Sequence, residues 1–475
     1  MPQRSQAAIR ASRRDGAGTV RPMATRTDHD PTAEVVDILQ HLIRNRCVND
    51  GTAASGGEVR SADVLAQHLD VAGLDVVRTE PSPGRGNLVA RIEGTDPTAP
   101  TLLLLGHTDV VPVNESRWSN DPFGGELITA PEGYDEVWGR GAVDMLNLTA
   151  SMAVAVRRLA AGGFRPRGTL VFAAVADEEA LGTYGADHLV SDEADAVRAD
   201  YVITEAGGFP IASPTGTKLP VIVGEKGTHW TTLRVTGTPG HASQPFRTDN
   251  ALVSAAEVVR RLSDYRPPTV LHDVWRGFLE GMELPPELTA PLLDEDRFDS
   301  ALDDLPLGMA RQFHACTHTT FAPTVVHGGT KTNVIPDTVD IEIDIRTLPG
   351  QEAADVQRLL DDAIGDLAGK VSVLAAHDDP STASPVDTPL WDAIARAVVP
   401  SYPDARLVPF LTVGATDARF FRRAGQTAYG FGLFSRNLSL EDYGTMFHGD
   451  DERVDVESLR LSTELWERLA HELLT

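Results

Sequence analysis

Four consecutive leucines, Leu102 to Leu105, stand between Pro100 and Gly106, and the run ends at once in His107 and Asp109. A short apolar run bounded in this way reads as a strand buried on both faces, the pattern of a parallel sheet, although periodicity alone leaves a short core helix open. In open α/β sheets, binding sites form at the carboxyl ends of the strands. Residues i and i+2 of an extended chain point the same way, so His107 and Asp109 face one cleft. A single His-x-Asp pair is weak by itself and needs partners elsewhere in the chain.

At 475 residues the chain exceeds the usual size of one hydrophobic core, so two domains are expected. A net charge of −27 excludes nucleic acid and anionic membrane surfaces as natural partners, because binding phosphate relies on clustered Lys and Arg. Two cysteines, Cys47 and Cys316, cannot build a disulfide framework or a thiolate zinc site, which points to a reducing cytoplasm. Metal ligands, if any, must then be His and carboxylate. The Arg-rich opening over residues 1–30 lacks the apolar stretch of a secretory signal and reads as a disordered tail, with Met23 as an alternative start. No stretch reaches the roughly 18 apolar residues of a membrane helix.

Beyond the tail, helix-like and strand-like pieces alternate. DPTAEVVDILQHLIR has helical spacing with Thr32 as the expected N-cap; NLVARIEG, TLLLLG, GTLVFAAVA and ADYVITEA read as strands around the helix LTASMAVAVRRLAAGG. This order predicts a doubly wound α/β domain. Near residue 225 the texture changes to period-two strands, HWTTLRVTGTPGHAS and TVDIEIDIRTL, with the amphipathic helix NALVSAAEVVRRL between them. That is an α+β pattern. The α/β texture returns with TPLWDAIARAVVP and QTAYGFGLF. The expected organisation is a catalytic domain in two parts, 31–224 and 376–475, with an inserted domain over 225–375. Residues 265–320 are rich in Pro and Asp and carry only short helical signals.

The partners of His107 sit after other strands. Asp144 lies in VWGRGAVDML, Glu178 and Glu179 in LVFAAVADEEALG, Glu205 in YVITEAGG, and His448 in MFHGDDERV. Singly each has a plain structural explanation: Asp144 as a helix cap, residues 177–179 as a solvated first turn, His448 as a loop histidine. Together they make two imidazoles and three carboxylates, a donor set suited to Zn²⁺, Co²⁺ or Mn²⁺. Two ions about 3.5 to 4 Å apart clamp both attacking and departing atoms, and such a pair needs one shared carboxylate. Neighbouring extended positions diverge, so of Glu178 and Glu179 one can ligate while the other stays free as a base.

The stretches GHTDVVP, GRGAVDM, ADEEALG, TEAGG, GTPGHASQP, GGTKTNVIP, DIRTLPG, GATDARFF and HGDDERV run in order from residue 106 to 454. In them the chain resembles the M20 family of metallopeptidases and amidohydrolases, which includes carboxypeptidase G2-like enzymes, aminoacylase-1, acetylornithine deacetylase and succinyl-diaminopimelate desuccinylase. The resemblance implies a zinc-binding α/β domain with an inserted α+β lid that commonly dimerises. It implies that His107 and Glu205 hold one metal, Glu179 and His448 the other, and that Asp144 bridges them. Asp109 would orient the imidazole of His107, and Glu178 would be the general base that takes a proton from the attacking water and returns it to the leaving nitrogen. His241 resembles the lid histidine that reaches a neighbouring subunit's site and stabilises the oxyanion. Asn333 and Arg346 resemble residues that bind the substrate's amide and carboxylate region, and Gly414 with its flanking amides resembles a carboxylate cradle. Asp417 and Arg419 brace that loop.

The family usually carries Lys after the Asp-Met of the bridging motif, whereas Leu146 and Asn147 follow here. No ligand is lost by this. The sequence therefore predicts a cytoplasmic enzyme with two Zn²⁺ per chain, with Co²⁺ or Mn²⁺ as substitutes. It is expected to cleave an amide bond next to a free carboxylate in small peptides and to form a homodimer through the lid. N-acyl amino acids are the alternative substrates. An inactive metal-dependent binding protein is a further alternative that the intact Glu178 opposes.

Overall fold

The structure, a computed structural model, describes residues 30–437 and 439–475. The tail over residues 1–30, its last residue apart, and the alternative start at Met23 lie outside the described residues. The chain divides into two compact units: residues up to Val221 with Pro385–Val408 and Thr416–Thr475, and Ile222–Ser384 with Pro409–Ala415.

In the first unit the strands Asp75–Ser82, Arg85–Ile92, Thr169–Val175, Thr101–His107, Tyr201–Thr204 and Thr427–Gly430 lie side by side in that order. The last four run parallel, and the first two form an antiparallel hairpin at one edge. The sheet is therefore mixed rather than wholly parallel. The physical reason is the two-residue link between Ser82 and Arg85, far too short for the crossover a parallel pair needs.

Leu103 and Leu105 share a buried cluster with Ala186, Leu189 and Phe421. Leu102 and Leu104 point to the other face and are also fully buried. The helices Leu146–Ala161 and Val456–Leu474 pack against this strand. Gly106 has a steric reason: a Cβ there would stand 2.4 Å from Oγ1 of Thr149 on the first of these helices. That hydroxyl donates instead to the carbonyl of His107, at 2.8 Å. At the N-terminus, Thr32 is the first helical residue and not the cap. The Asp30 carboxylate, two residues earlier, accepts its N–H at 2.9 Å.

The second unit is α+β. Strands Thr320–Gly328, Thr338–Thr347, Gly227–Thr236 and Val371–Asp379 form one antiparallel sheet in that order. Alternate residues Leu233, Val235, Val339, Ile341, Ile343 and Ile345 are buried in one cluster with the apolar faces of the helices Ala251–Asp264 and Ala353–Ile364. The weak signals over 265–320 resolve into the helices Asp273–Met282, Pro286–Leu292, Phe298–Leu302 and Leu307–Thr317.

Candidate metal centre

Parallel strands end on the same side of a sheet, which brings distant sequence positions together. His107 is the last residue of its strand and pairs in register with Val175, two residues before the Asp177–Glu179 turn. Tyr201–Thr204 ends immediately before Glu205. The tight exit after Glu205 uses positive φ at Ala206, Gly207 and Gly208, and a Cβ on Gly208 would collide with the carbonyl of Gly432 at 1.9 Å.

Two groups of convergent donor atoms result: His107, Asp144 and Glu205, and Asp144, Glu179 and His448. Asp144 belongs to both. Its Oδ1 lies 3.3 Å from Nε2 of His107 and its Oδ2 lies 3.2 Å from Nε2 of His448. Glu205 Oε2 is 3.8 Å from Nε2 of His107, and Glu179 Oε2 is 3.1 Å from Nε2 of His448. Glu178 belongs to neither group. The five residues named from the sequence as ligands thus meet in one place, with Asp144 central.

The supports were only partly legible. The Nδ1–H of His107 donates to the backbone carbonyl of Asp109 at 3.0 Å, while the Asp109 carboxylate, expected to orient the ring, stands at 3.6 Å. That carboxylate accepts the backbone N–H groups of Glu178 and Glu179, at 3.2 and 3.1 Å, and the Asn49 amide at 2.9 Å. Asp109 therefore grips the turn carrying both glutamates. Asn49 also donates to Asp177, at 3.1 Å, and nothing in the surrounding sequence signalled this. Asp177 enters the turn in the left-handed conformation, at φ 71°.

Glu452 was a further omission. Its carboxylate accepts N–H groups from Gly141, Val143 and Asp144 at 2.9, 2.7 and 3.0 Å, and pairs with Arg140 at 2.7 Å. It fixes the loop that presents Asp144, whose peptide bond to Met145 is cis. Leu146, at the position where Lys is usual, is fully buried as the first residue of its helix, and its Cδ1 occupies the space beside Gly141.

Electrostatics show what the site lacks. Burial, then the charge of Glu205, holds the Glu178 carboxyl well above the ordinary range. Burial and the charge of Asp144 push Glu179 up to about 7, and burial raises Glu205 and takes Asp417 up to about 8. Hydrogen bonds to Asp144 and Glu179 raise His448 to about 10. Among the described residues, buried Glu179 Oε1 has no hydrogen-bond partner, and neither do the two carboxylate oxygens of Asp417. Buried carboxylates crowded around imidazoles have too little positive charge among them, and divalent cations with these donors fit that deficit.

His241, Asn333, Arg346 and Gly414 belong to the second unit. Gly240–His241 pairs with Val334–Ile335, and the carbonyl of Asn333 accepts the N–H of Ala242 at 3.1 Å, so His241 and Asn333 share one ribbon. Nδ1 of His241 accepts from the Ser243 hydroxyl and N–H, at 2.7 and 3.2 Å. The proton is thereby left on Nε2 of an exposed ring. Arg346 is already engaged: Nε and Nη2 fork onto Asp344 at 2.7 and 3.1 Å, and Nη1 donates to Thr228 at 2.8 Å. Gly414 is exposed, and a Cβ there would meet nothing within 4 Å. In the first unit Arg419 braces its loop by donating to the carbonyls of Thr416 and Leu181 at 2.5 and 2.9 Å.

The model for peptidase family M20/M25/M40 matches residues 103–472. Human aminoacylase-1 is 30% identical over 403 residues, covering 84% of this chain and 86% of that protein. The N-fatty-acyl-amino acid synthase/hydrolase PM20D1 of Xenopus tropicalis is 28% identical, covering 80% and 73%. Among solved structures, an M20 family metallo-carboxypeptidase from Sulfolobus solfataricus superposes with a TM-score of 0.67 at 17% identity, covering 93% of this chain and 99% of that one. The di-peptidase Dug1p of Saccharomyces cerevisiae gives 0.64 at 18% identity, covering 93% and 96%.

Proposed function

The chain belongs to peptidase family M20/M25/M40, and on that premise we propose that it is a dinuclear zinc hydrolase that cleaves an amide bond next to a free carboxylate in small peptides. The observation that carries this reading is Asp144, one carboxylate oxygen turned to each of two imidazoles. His107, Asp144 and Glu205 would hold one ion, and Asp144, Glu179 and His448 the other. Bound ions supply Lewis acidity and make water a nucleophile near neutral pH.

The protein's own groups do the rest. Glu178, outside both donor groups and with its carboxyl held above the ordinary range by burial, accepts the proton of the attacking water and returns it to the leaving nitrogen. Asp109 and Asn49 hold its turn in place. The Nε2–H of His241 is the donor for the developing oxyanion, Asn333 and the amides around Gly414 orient the substrate, and the remaining donors of Arg346 receive its carboxylate. The inserted unit acts as lid and dimerisation domain, and the enzyme works in the cytoplasm as a homodimer.

A second reading, hydrolysis of N-acyl amino acids by the same groups, is favoured by one specific observation: the 30% identity to human aminoacylase-1 across 84% of the chain. Amine release from a panel of dipeptides and N-acetyl amino acids, with Zn²⁺ and with chelator, separates the two. Turnover of dipeptides alone supports the first reading and turnover of N-acetyl amino acids alone the second. No zinc-dependent release from either class overturns both.

A further inference from the structure

The helical stretch that no family motif covers holds a second group of metal-type donors, in the other unit of the chain. We propose that Asp299, His314 and His318 form a site for a single divalent transition-metal ion that ties the helix Phe298–Leu302 to the end of the helix Leu307–Thr317. One donor atom from each of the three residues lies within 4.8 Å of the others. His314 and His318 are four residues apart, the spacing that places two side chains on one helical face. Asp299 approaches from the neighbouring helix, its Oδ1 3.5 Å from Nε2 of His318.

The tautomer of His318 is fixed by its surroundings. Nδ1 lies 3.1 Å from the carbonyl of His314 and 3.0 Å from the Thr317 hydroxyl, whose own proton points to the carbonyl of Phe313 at 2.8 Å. Nδ1 therefore carries the proton, and Nε2 presents its lone pair towards Asp299. A ring N–H held on a backbone carbonyl is the usual support behind a metal-binding histidine. The Thr269 hydroxyl, 3.0 Å away, is the only hydrogen-bonding partner of Nε2 among the described residues.

His314 has no hydrogen-bond partner on either ring nitrogen among the described residues, although the ring is half-buried. It stacks on His318 with centroids 4.1 Å apart and planes 1° from parallel. Parallel rings carry their lone pairs side by side, so the ion is bound after the His314 ring turns about its Cβ–Cγ bond. Burial disfavours the protonated form of both imidazoles, lowering His314 and taking His318 down to about 4. Two imidazoles and one carboxylate suit Zn²⁺ or Co²⁺, with water completing the shell on the exposed Asp299 side. The backbone is pinned from below by Lys226, whose Nζ donates to the carbonyls of Ala315 and His318 at 2.9 and 2.7 Å.

The test is a Co²⁺ titration of chelator-stripped full-length protein, read by native mass spectrometry and visible absorption. Wild type is compared with His314→Gln and Asp299→Asn. Each variant should bind one ion fewer than wild type, with an unchanged circular dichroism spectrum and unchanged amide hydrolysis. Because each variant is scored against wild type, the result does not depend on how many ions the other centre takes. Asp299 is exposed, so its variant decides the matter even if His314→Gln disturbs folding. Equal ion counts in wild type and Asp299→Asn would overturn the site and leave a stacked histidine pair that serves packing alone.

Discussion

Adjacent glutamates at 178 and 179 share one short turn but are placed differently, as the proposed division into base and ligand requires. Glu179 meets His448 at 3.1 Å, whereas Glu178 lies outside both donor groups. Glu178→Gln should therefore keep its bound metal and lose roughly 10²-fold or more of turnover, while Glu179→Gln should lose metal as well. Metal analysis beside steady-state rates checks both, and the opposite pattern would reverse the assignment. His68 gives a pH effect. Its folded pKa is depressed to about 4 by burial, and Nε2 has no hydrogen-bond partner among the described residues. Between about 6.5 and 4 the unfolded chain then binds the extra proton, so this contribution to stability is present above pH 6.5 and lost as pH falls towards 4. Melting temperatures across that window should fall less for His68→Gln than for wild type, and parallel curves would show that His68 is not responsible.

At the level of elements, Asp144 follows the antiparallel strand Asp135–Trp138 and His448 the helix Leu440–Met446, whereas His107, Glu179 and Glu205 were legible because each ends or follows a buried parallel strand, and parallel strands deliver their ends to one side. The supports were not. Glu452 looks like one more acid in the exposed-looking run GDDER, and only the fold shows it fully buried beneath three backbone N–H groups and Arg140. Asn49 stands in a connecting stretch with no periodic signal, yet it joins Asp109 to Asp177. The edge hairpin Asp75–Ser82 and Arg85–Ile92 was hidden for a different reason, since a nearly continuous buried strand reads as parallel whichever way it pairs. Glu452→Gln or Glu452→Ala leaves Arg140 buried without its counter-charge, at a cost of roughly 3 to 5 kcal/mol. Chemical denaturation should register that loss, together with weakened metal binding through the displaced Asp144 loop. A variant as stable as wild type would show that Glu452 does not hold the loop.

For the whole molecule, the proposed homodimer makes a prediction no single chain can. If His241 serves the partner's site, a His241→Ala chain keeps a good metal centre, and a Glu178→Gln chain keeps a good oxyanion donor. Co-refolding the two should restore one working site per mixed dimer. Loss of such a donor typically costs about 10² to 10³ in rate, so recovery should stand clear of both parents. Verified mixed dimers without recovery would confine His241 to its own chain or remove it from the reaction. The central claim, amide hydrolysis by a centre built on Asp144, is tested most directly by restoring metal to chelator-stripped protein while following hydrolysis of the best substrate in the panel. The stripped protein should be inactive, and Zn²⁺ should restore turnover in wild type but only weakly in His107→Ala or His448→Ala. Full turnover by the stripped protein, or none with Zn²⁺, Co²⁺ or Mn²⁺, would contradict it.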